Sequence, residues 1–282
     1  MNNKEGSFFF KLSLAQWSLH KSIKSGVINH LDFAHKAREL GFEGVEYVNQ
    51  FFPDKAKNIA FLVDMNLRAK SNGIENVLIM IDDEGDLACP KTINRQQAIE
   101  NHYKWVEAAN FLECHSIRVN LSGGLIREEA AKAGIDSLIK LSEFAEGSGI
   151  NIIVENHGGF SSDGIWLSDI MKKVQLSNCG TLPDFGNFCI ENDSDGNCIE
   201  EYDRYKGVEE MLPFAKAISA KSFDFDENGN VVETDFRRML KMVKDFGYKG
   251  YIGIEYEGDN LTEEKGIVLT KNLLQKIRTE LN

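Results

Sequence analysis

Proline is scarce, four in 282 residues. Few positions therefore lack a backbone N–H or force a kink, and long helical stretches can run unbroken. No run of about 18 uninterrupted apolar residues occurs, so no membrane-spanning helix is expected. Cysteine is sparse and unpatterned. Cys89, Cys114, Cys179, Cys189 and Cys198 show no C-x-x-C spacing, and their odd number argues against a disulfide framework and for a reducing, cytoplasmic setting. The opening MNNKEGSFFFKLSLAQWSLH has no basic region followed by a clean apolar core and a small-residue cleavage site, and reads as mature protein. Positive charge is also in deficit. With 32 Lys plus Arg against 44 Asp plus Glu the net charge is −12, which repels nucleic acid and anionic membrane on average. The 42% hydrophobic and 27% charged residues are those of an ordinary globular protein, which excludes disorder as the main state.

What is present is a rhythm. Short β-branched or aromatic runs alternate with longer helical patterns, as in βαβ units around a parallel sheet. Strands are expected near Lys11–Leu14, Gly44–Val48, Asn76–Ile81, Ser116–Asn120, Asn151–Glu155, Gly180–Asp184, Ala217–Phe223 and Tyr251–Glu255. Helices are expected near 30–40, 56–72, 94–112, 125–147, 162–174, 207–214, 233–245 and 263–279. Glycines punctuate the helix ends, as at Gly41 after the apolar face Phe33, Ala34, Ala37 and Leu40. Length alone allows two domains of about 150 residues. Eight βα units favour one α/β domain over 1–282, a single (β/α)8 TIM barrel. The stretch 189–205 is acidic and rich in turn residues. It reads as an insertion or lid after the sixth strand, because the βα rhythm resumes behind it.

In such a barrel chemistry lies at the C-terminal ends of the strands. Gln16 to His20, Glu46, Asp82 and Asp83, Asn120, Glu155 to His157, Asp184 to Asn187, Lys221 to Asp226 and Glu255 to Glu257 fall there. Glu155, Asp184 and Glu255 each follow a hydrophobic run and would project into one mouth. Clustered anions need a cation or shared protons, and a divalent ion with oxygen ligands is the economical solution. The bland alternative is that each carboxylate caps a helix or pairs with Arg118 or Lys221.

IIVENHGG, LPDFGNF, ISAKSFDFD and GYIGIEYEG, in that order, resemble the xylose isomerase-like TIM barrel superfamily, and more narrowly its sugar phosphate isomerase/epimerase group. The fold is shared with apurinic endonucleases of the second family. GFEGVEYVNQFF resembles the group's second strand, where a Glu, here Glu46, faces the substrate. The resemblance implies metal ligands on the fifth to eighth strands and places Glu155, Asp184 and Glu255 on three of them. The fourth, a His in the family, falls on Ser219, a much weaker ligand, and Asn187 stands where another His is frequent. A trinuclear zinc site of the endonuclease type is not implied, since its imidazoles are missing and the net charge opposes DNA.

The expected activity is isomerisation or epimerisation of a sugar through an enediolate, assisted by Mn2+, Mg2+ or Zn2+. Glu155 and Glu255 would remove and return the proton, and Lys221 would support oxyanion charge. Trp17, His20, Glu46, His157 and Asn187 are the expected substrate contacts. His157 doubles as a partner for a ligand carboxylate or a replacement ligand, and Trp17 is the aromatic best placed to wall a sugar face. Alternatives are a carbohydrate-binding barrel without catalysis, and a lyase or dehydratase using the same chemistry. LSGG at 121–124 and HGG at 157–159 are the only Gly-rich phosphate nests, while Arg204 and Lys206 keep anionic substrates open. His30, His35 and His102 lie in helical stretches and read as surface residues, and His115 as facing away from the mouth. The partner expected is a small sugar or sugar phosphate, and NQFF at 49–52 reads as an exposed apolar loop suited to a homo-oligomer contact.

Overall fold

The computed structural model describes residues 8–282. The strands are β1 (Phe10–Ala15), β2 (Gly44–Val48), β3 (Glu75–Met80), β4 (Ser116–Val119), β5 (Asn151–Glu155), β6 (Cys179–Leu182), β7 (Cys189–Asn192), β8 (Cys198–Glu201), β9 (Ile218–Ser222) and β10 (Gly250–Tyr256). The helices are α1 (His20–Lys24), α2 (Phe33–Glu39), α3 (Ile59–Ser71), α4 (Thr92–Phe111), α5 (Arg127–Glu146), α6 (Gly164–Val174), α7 (Arg204–Met211), α8 (Phe236–Phe246) and α9 (Glu263–Leu281). Eight strands form one sheet in the order β6-β5-β4-β3-β2-β1-β10-β9, with every pairing parallel. β6 and β9 are joined by isolated parallel bridges, Thr181 to Ala215 and Asp184 to Ser219, which bring the sheet round into a barrel. The expected (β/α)8 TIM barrel is what the chain forms, and each expected strand end lies within 2 residues of the observed one.

Local chemistry explains the boundaries. Asn58, Asp163, Asp203, Asp235 and Thr262 each precede a helix and accept a hydrogen bond from its first-turn N–H groups. Gly41 and Gly247, at φ of 79° and 85°, close α2 and α8 in a left-handed conformation that costs a glycine little. Alternation along the strands then divides two cores. Leu12 and Leu14 point outward to the helices, while Ser13 and Ala15 point into the barrel. The inner apolar cluster is small, built on Ala15, Val48, Val77, Leu78, Met80, Ile153, Leu182, Ala217 and Tyr251. Polar and charged side chains take much of the remaining interior.

Three expectations are corrected. The 189–205 stretch, which follows β6, carries structure of its own: β7 and β8 form an antiparallel hairpin, and α7 begins at Arg204 rather than 207. Cys189 and Cys198 face each other across that hairpin in a disulfide, Cα to Cα 5.7 Å. The odd, unpatterned cysteines argue against a disulfide framework, yet a tight turn between two of them is enough to bring one pair together. NQFF is not an exposed apolar loop either. Asn49 and Phe52 are buried, and Phe52 packs against Trp105 at 5.3 Å between ring centroids, so the stated ground for an oligomer contact is gone. Among the described residues no helix is long and apolar enough to cross a membrane.

Candidate active site at the barrel mouth

Glu155, Asp184 and Glu255 end β5, follow β6 and lie in β10, and all three are buried. One carboxylate oxygen from each lies within 4.8 Å of the others. The barrel rule therefore brings together the three residues expected as ligands. Asp184 is held by its neighbours' backbone: Gly186 and Asn187 N–H groups donate to Oδ1 at 2.8 Å each. Its Oδ2 is buried and has no hydrogen-bond partner. Asn156 braces the same loop, its amide bonding the backbone of Asp184 on both sides, with N–H to Oδ1 at 2.7 Å and Nδ2 to the carbonyl at 3.0 Å.

Two buried cations flank the trio. Arg118, on β4, places Nη1 2.7 Å from Asp82 Oδ1 and Nε 2.9 Å from Glu155 Oε2. The second contact is close but poorly aligned, because neither atom completes a directed hydrogen bond. Lys221, on β9, places Nζ 3.2 Å from Glu257 Oε1 and 3.7 Å from Glu255 Oε1. Asn187 links the two sides, donating to Glu155 Oε1 at 3.1 Å and accepting from Lys221 Nζ at 3.3 Å. Ser219 lies beside the trio and donates to Glu255 Oε2 at 3.4 Å. The pairings with Arg118 and Lys221 that the sequence offered as an alternative to metal binding are thus present, and the clustering is present beside them.

Burial governs the protonation. It raises Glu155 and Asp184, the latter to about 6, against the pull of the nearby cations. Glu255 is pushed well above the ordinary carboxylate range by burial and by Glu155, with Lys221 pulling the other way. Burial alone would discharge Lys221, but the Glu255, Asp184, Glu257 and Glu155 carboxylates more than offset it and hold the ammonium charged. Six acids, Glu46, Asp82, Glu155, Asp184, Glu255 and Glu257, share two buried cations, and an oxygen-donor dication suits what is left over. A trio of hard oxygen ligands with an orphaned Asp184 oxygen fits such an ion, with Ser219 supplying only a weak fourth donor.

A cleft of about 840 Å³ opens over the site. Trp17, Asp82, Arg118, Asn120, His157 and Glu255 line it, while Glu155 and Asp184 lie beneath. Trp17 stacks on His20 at 4.8 Å, and His20 bonds the Trp17 carbonyl at 2.7 Å and supports the wall from behind. His157 stands exposed on the rim. Glu46 is not at the surface of the cleft. It is 1% exposed inside the barrel, bonded to Ser13 Oγ at 2.6 Å, and Gly253 makes room for it: a Cβ there would fall 2.4 Å from Oε1. Arg204 and Lys206 do not line the cleft; Arg204 bonds the Glu233 carbonyl at 2.7 Å and Lys206 pairs with Glu210. His30 and His102, expected on the surface, are drawn inward, His30 stacking on Phe52 at 4.8 Å and His102 only 3% exposed. Asp82 stands at a strand end as expected but is given no role by the sequence, and Arg118 is expected only as a pairing partner; the apolar run VLIMI before Asp82 and the isolated Arg in SIRVN are the sequence signals for both.

The family model of the xylose isomerase-like TIM barrel matches residues 34–277. The chain belongs to that family. No curated protein matches it. Among solved structures, D-psicose 3-epimerase from Clostridium cellulolyticum H10, crystallised with D-tagatose, is 14% identical at a TM-score of 0.71, over 95% of this chain and 99% of that one. The IOLI protein with a bound zinc atom is 15% identical at 0.73, over 96% and 98%. A xylose isomerase-like TIM barrel protein from Mycobacterium smegmatis, in complex with magnesium, is 14% identical at 0.72, over 98% of both chains. At these identities the likeness is one of fold.

Proposed function

We propose that the protein is a sugar isomerase or epimerase that moves a proton on a carbon next to a carbonyl, with a divalent cation held by Glu155, Asp184 and Glu255. The observation that carries this reading is the meeting of three buried carboxylates within 4.8 Å, one oxygen of Asp184 having no partner. Sugar epimerase and metal-containing neighbours of the same fold support it. When bound, the cation would polarise the carbonyl and acidify the adjacent C–H. Glu155, beside Arg118 and hydrogen-bonded by Asn187, would accept the proton, and Glu255, beside Lys221 across the trio, would return one. Each must come within about 2.6–3.2 Å of the proton-bearing atom. Lys221 faces developing oxyanion charge without needing to titrate. Trp17 supplies an apolar wall, and His157 and Asn187 are hydroxyl contacts. Ser219 is a supporting ligand, and Glu46 acts on the site from beneath rather than by touching sugar.

The test is exchange of the substrate α-hydrogen with solvent deuterium across a panel of ketoses with Mn2+, Mg2+ or Zn2+ added. Glu155→Gln and Glu255→Gln are expected to lose at least about 10²-fold in exchange. Exchange that persists in both variants overturns the two-carboxylate scheme. Loss of water from the product would make the protein a lyase or dehydratase, and sugar binding with no exchange at all would make it a binding barrel.

A further inference from the structure

The cleft holds more room than one hexose ring fills, and at about 840 Å³ it reaches the upper range of small-molecule sites. Its extra volume runs from the mouth into an arm between the loops after β3 and β4, where Asp83, Glu84, Asp86 and Ser122 line it and His102 of α4 lies against it. Among the described residues Arg118 is the one cation that lines the cleft, and it is already committed to Asp82 and Glu155. A phosphate or carboxylate entering the arm would meet carboxylates with no free cation to receive it.

His102 gives the arm a specific character. It is 3% exposed, and its Nδ1 lies 2.7 Å from the Ala98 carbonyl one turn back in α4. A carbonyl only accepts, so Nδ1 carries the proton and Nε2 carries the lone pair. Nε2 has no hydrogen-bond partner among the described residues, and burial disfavours its protonation. The ring edge left for the cleft is an acceptor, like the carboxylates around it. The Ser122 hydroxyl already donates to Asp86 at 2.8 Å, so the side chains lining the arm are left as acceptors and call for a ligand that donates.

We propose that the arm is a second subsite which takes an uncharged, hydroxyl-rich extension of the sugar, such as a second glycosyl unit, and excludes phosphorylated substrates, with His102 Nε2 accepting a hydroxyl at its end. The inference rests on the reading of the mouth as a sugar site, but it concerns binding and not turnover. It also departs from the expectation that LSGG could nest a phosphate: the Gly123 backbone packs so closely on Asp86 that a Cβ there would fall 2.3 Å from the Asp86 Cβ, putting a carboxylate where the anion would sit.

The experiment is calorimetric titration with D-fructose, D-fructose 6-phosphate and lactulose, a ketose carrying a galactosyl unit. Lactulose is expected to bind at least about tenfold more tightly than fructose, and the phosphate at least about tenfold more weakly. His102→Phe should erase the lactulose advantage and leave fructose unchanged, while His102→Gln, which keeps an acceptor, should retain part of it. Because His102 is buried, the exposed Asp86→Lys is a second probe that does not touch the core, and it should raise affinity for the phosphate. Phosphate binding as tight as fructose in the wild type, or a His102→Phe loss shared equally by all three sugars, would overturn the proposal. If the ranking holds but no α-hydrogen exchanges on any of the sugars, the arm stands and the isomerase reading fails. If exchange occurs on fructose but the ranking is absent, the reverse is true.

Discussion

Arg118 on β4 and Lys221 on β9 flank the sector of the barrel formed by β5 and β6, and each is a buried cation shared by two carboxylates. In each case one partner is deep, Glu155 or Glu255, and one lies nearer the rim, Asp82 or Glu257. The chemistry of the two sides differs. Arg118 spans its acids at 2.7 and 2.9 Å with a planar, permanently charged fork. Lys221 is a point charge at 3.2 and 3.7 Å, with a third, neutral contact to Asn187. Glu155, beside the fork, is raised by burial, whereas Glu255, beside the ammonium, is raised further. The first arrangement holds Glu155 between a close guanidinium and a directed bond from Asn187; the second leaves Glu255 with a more distant ammonium and the Ser219 hydroxyl. Asp184, between them, has backbone N–H groups on one oxygen and nothing on the other.

The contrast can be broken most severely on the arginine side. Arg118→Leu leaves Asp82 and Glu155 without their cation and is expected to cost about 3–5 kcal/mol in urea unfolding; a loss below 1 kcal/mol would show that the fork is not an anchor. Glu46 shows what burial does without an ion pair. Burial pushes it to about 7, above the ordinary 4.5, so the folded state favours its protonated form. That stability is complete below about pH 4.5 and is lost as pH rises through 7, by about 3 kcal/mol at pH 7.5 and above. Glu46→Gln should therefore be more stable than the wild type at pH 8 relative to pH 4.5, and equal slopes in the two proteins would refute this. On the lysine side, Lys221→Met removes a charge that repels a dication and is expected to tighten Mn2+ binding by about tenfold, read by calorimetry. Ser219→His supplies an imidazole at the weak fourth position, and an affinity gain of the same order, about tenfold, is expected. Glu257→Gln should have the smallest effect, under about 1 kcal/mol of stability, because its side chain is partly solvated and Lys221 keeps two other contacts.

Periodicity and glycine punctuation made the eight barrel strands legible, since each strand is a short apolar run whose hydrogen bonds follow from its neighbours. The carboxylate trio was legible for the same reason: Glu155, Asp184 and Glu255 stand at equivalent ends of such runs. Which residue pairs with which was not. Arg118 meets Glu155 because β4 and β5 are adjacent and Arg118 and Glu155 share the inward face two residues apart, with Arg118 opposite Ile153. Register of that kind is a property of the assembled sheet. Glu46 was placed at the mouth because its strand was known but not the layer it occupies. The Cys189–Cys198 bridge escaped because counting cysteines is a global argument, while the turn of NDSDGN between them is a local one. The buried ring of His102 follows from which face of α4 meets the barrel, and the weak apolar patterning of that helix gave no sign of it.

The barrel closes between β6 and β9 through bridges at Thr181–Ala215 and Asp184–Ser219 rather than through a continuous ladder. One of those two stitches is made by the backbones of a proposed metal ligand and of the serine beside it. A ligand gripped by Asp184, just after edge strand β6, and by Glu255, on β10 beside edge strand β9, would therefore also bridge the join between the two edges. Binding should be legible as slowed amide exchange at Phe185 and Ser219, whose N–H groups donate across the join at 3.0 Å each. Occupancy of the site and mechanical closure of the cylinder become one event, reported by two amides.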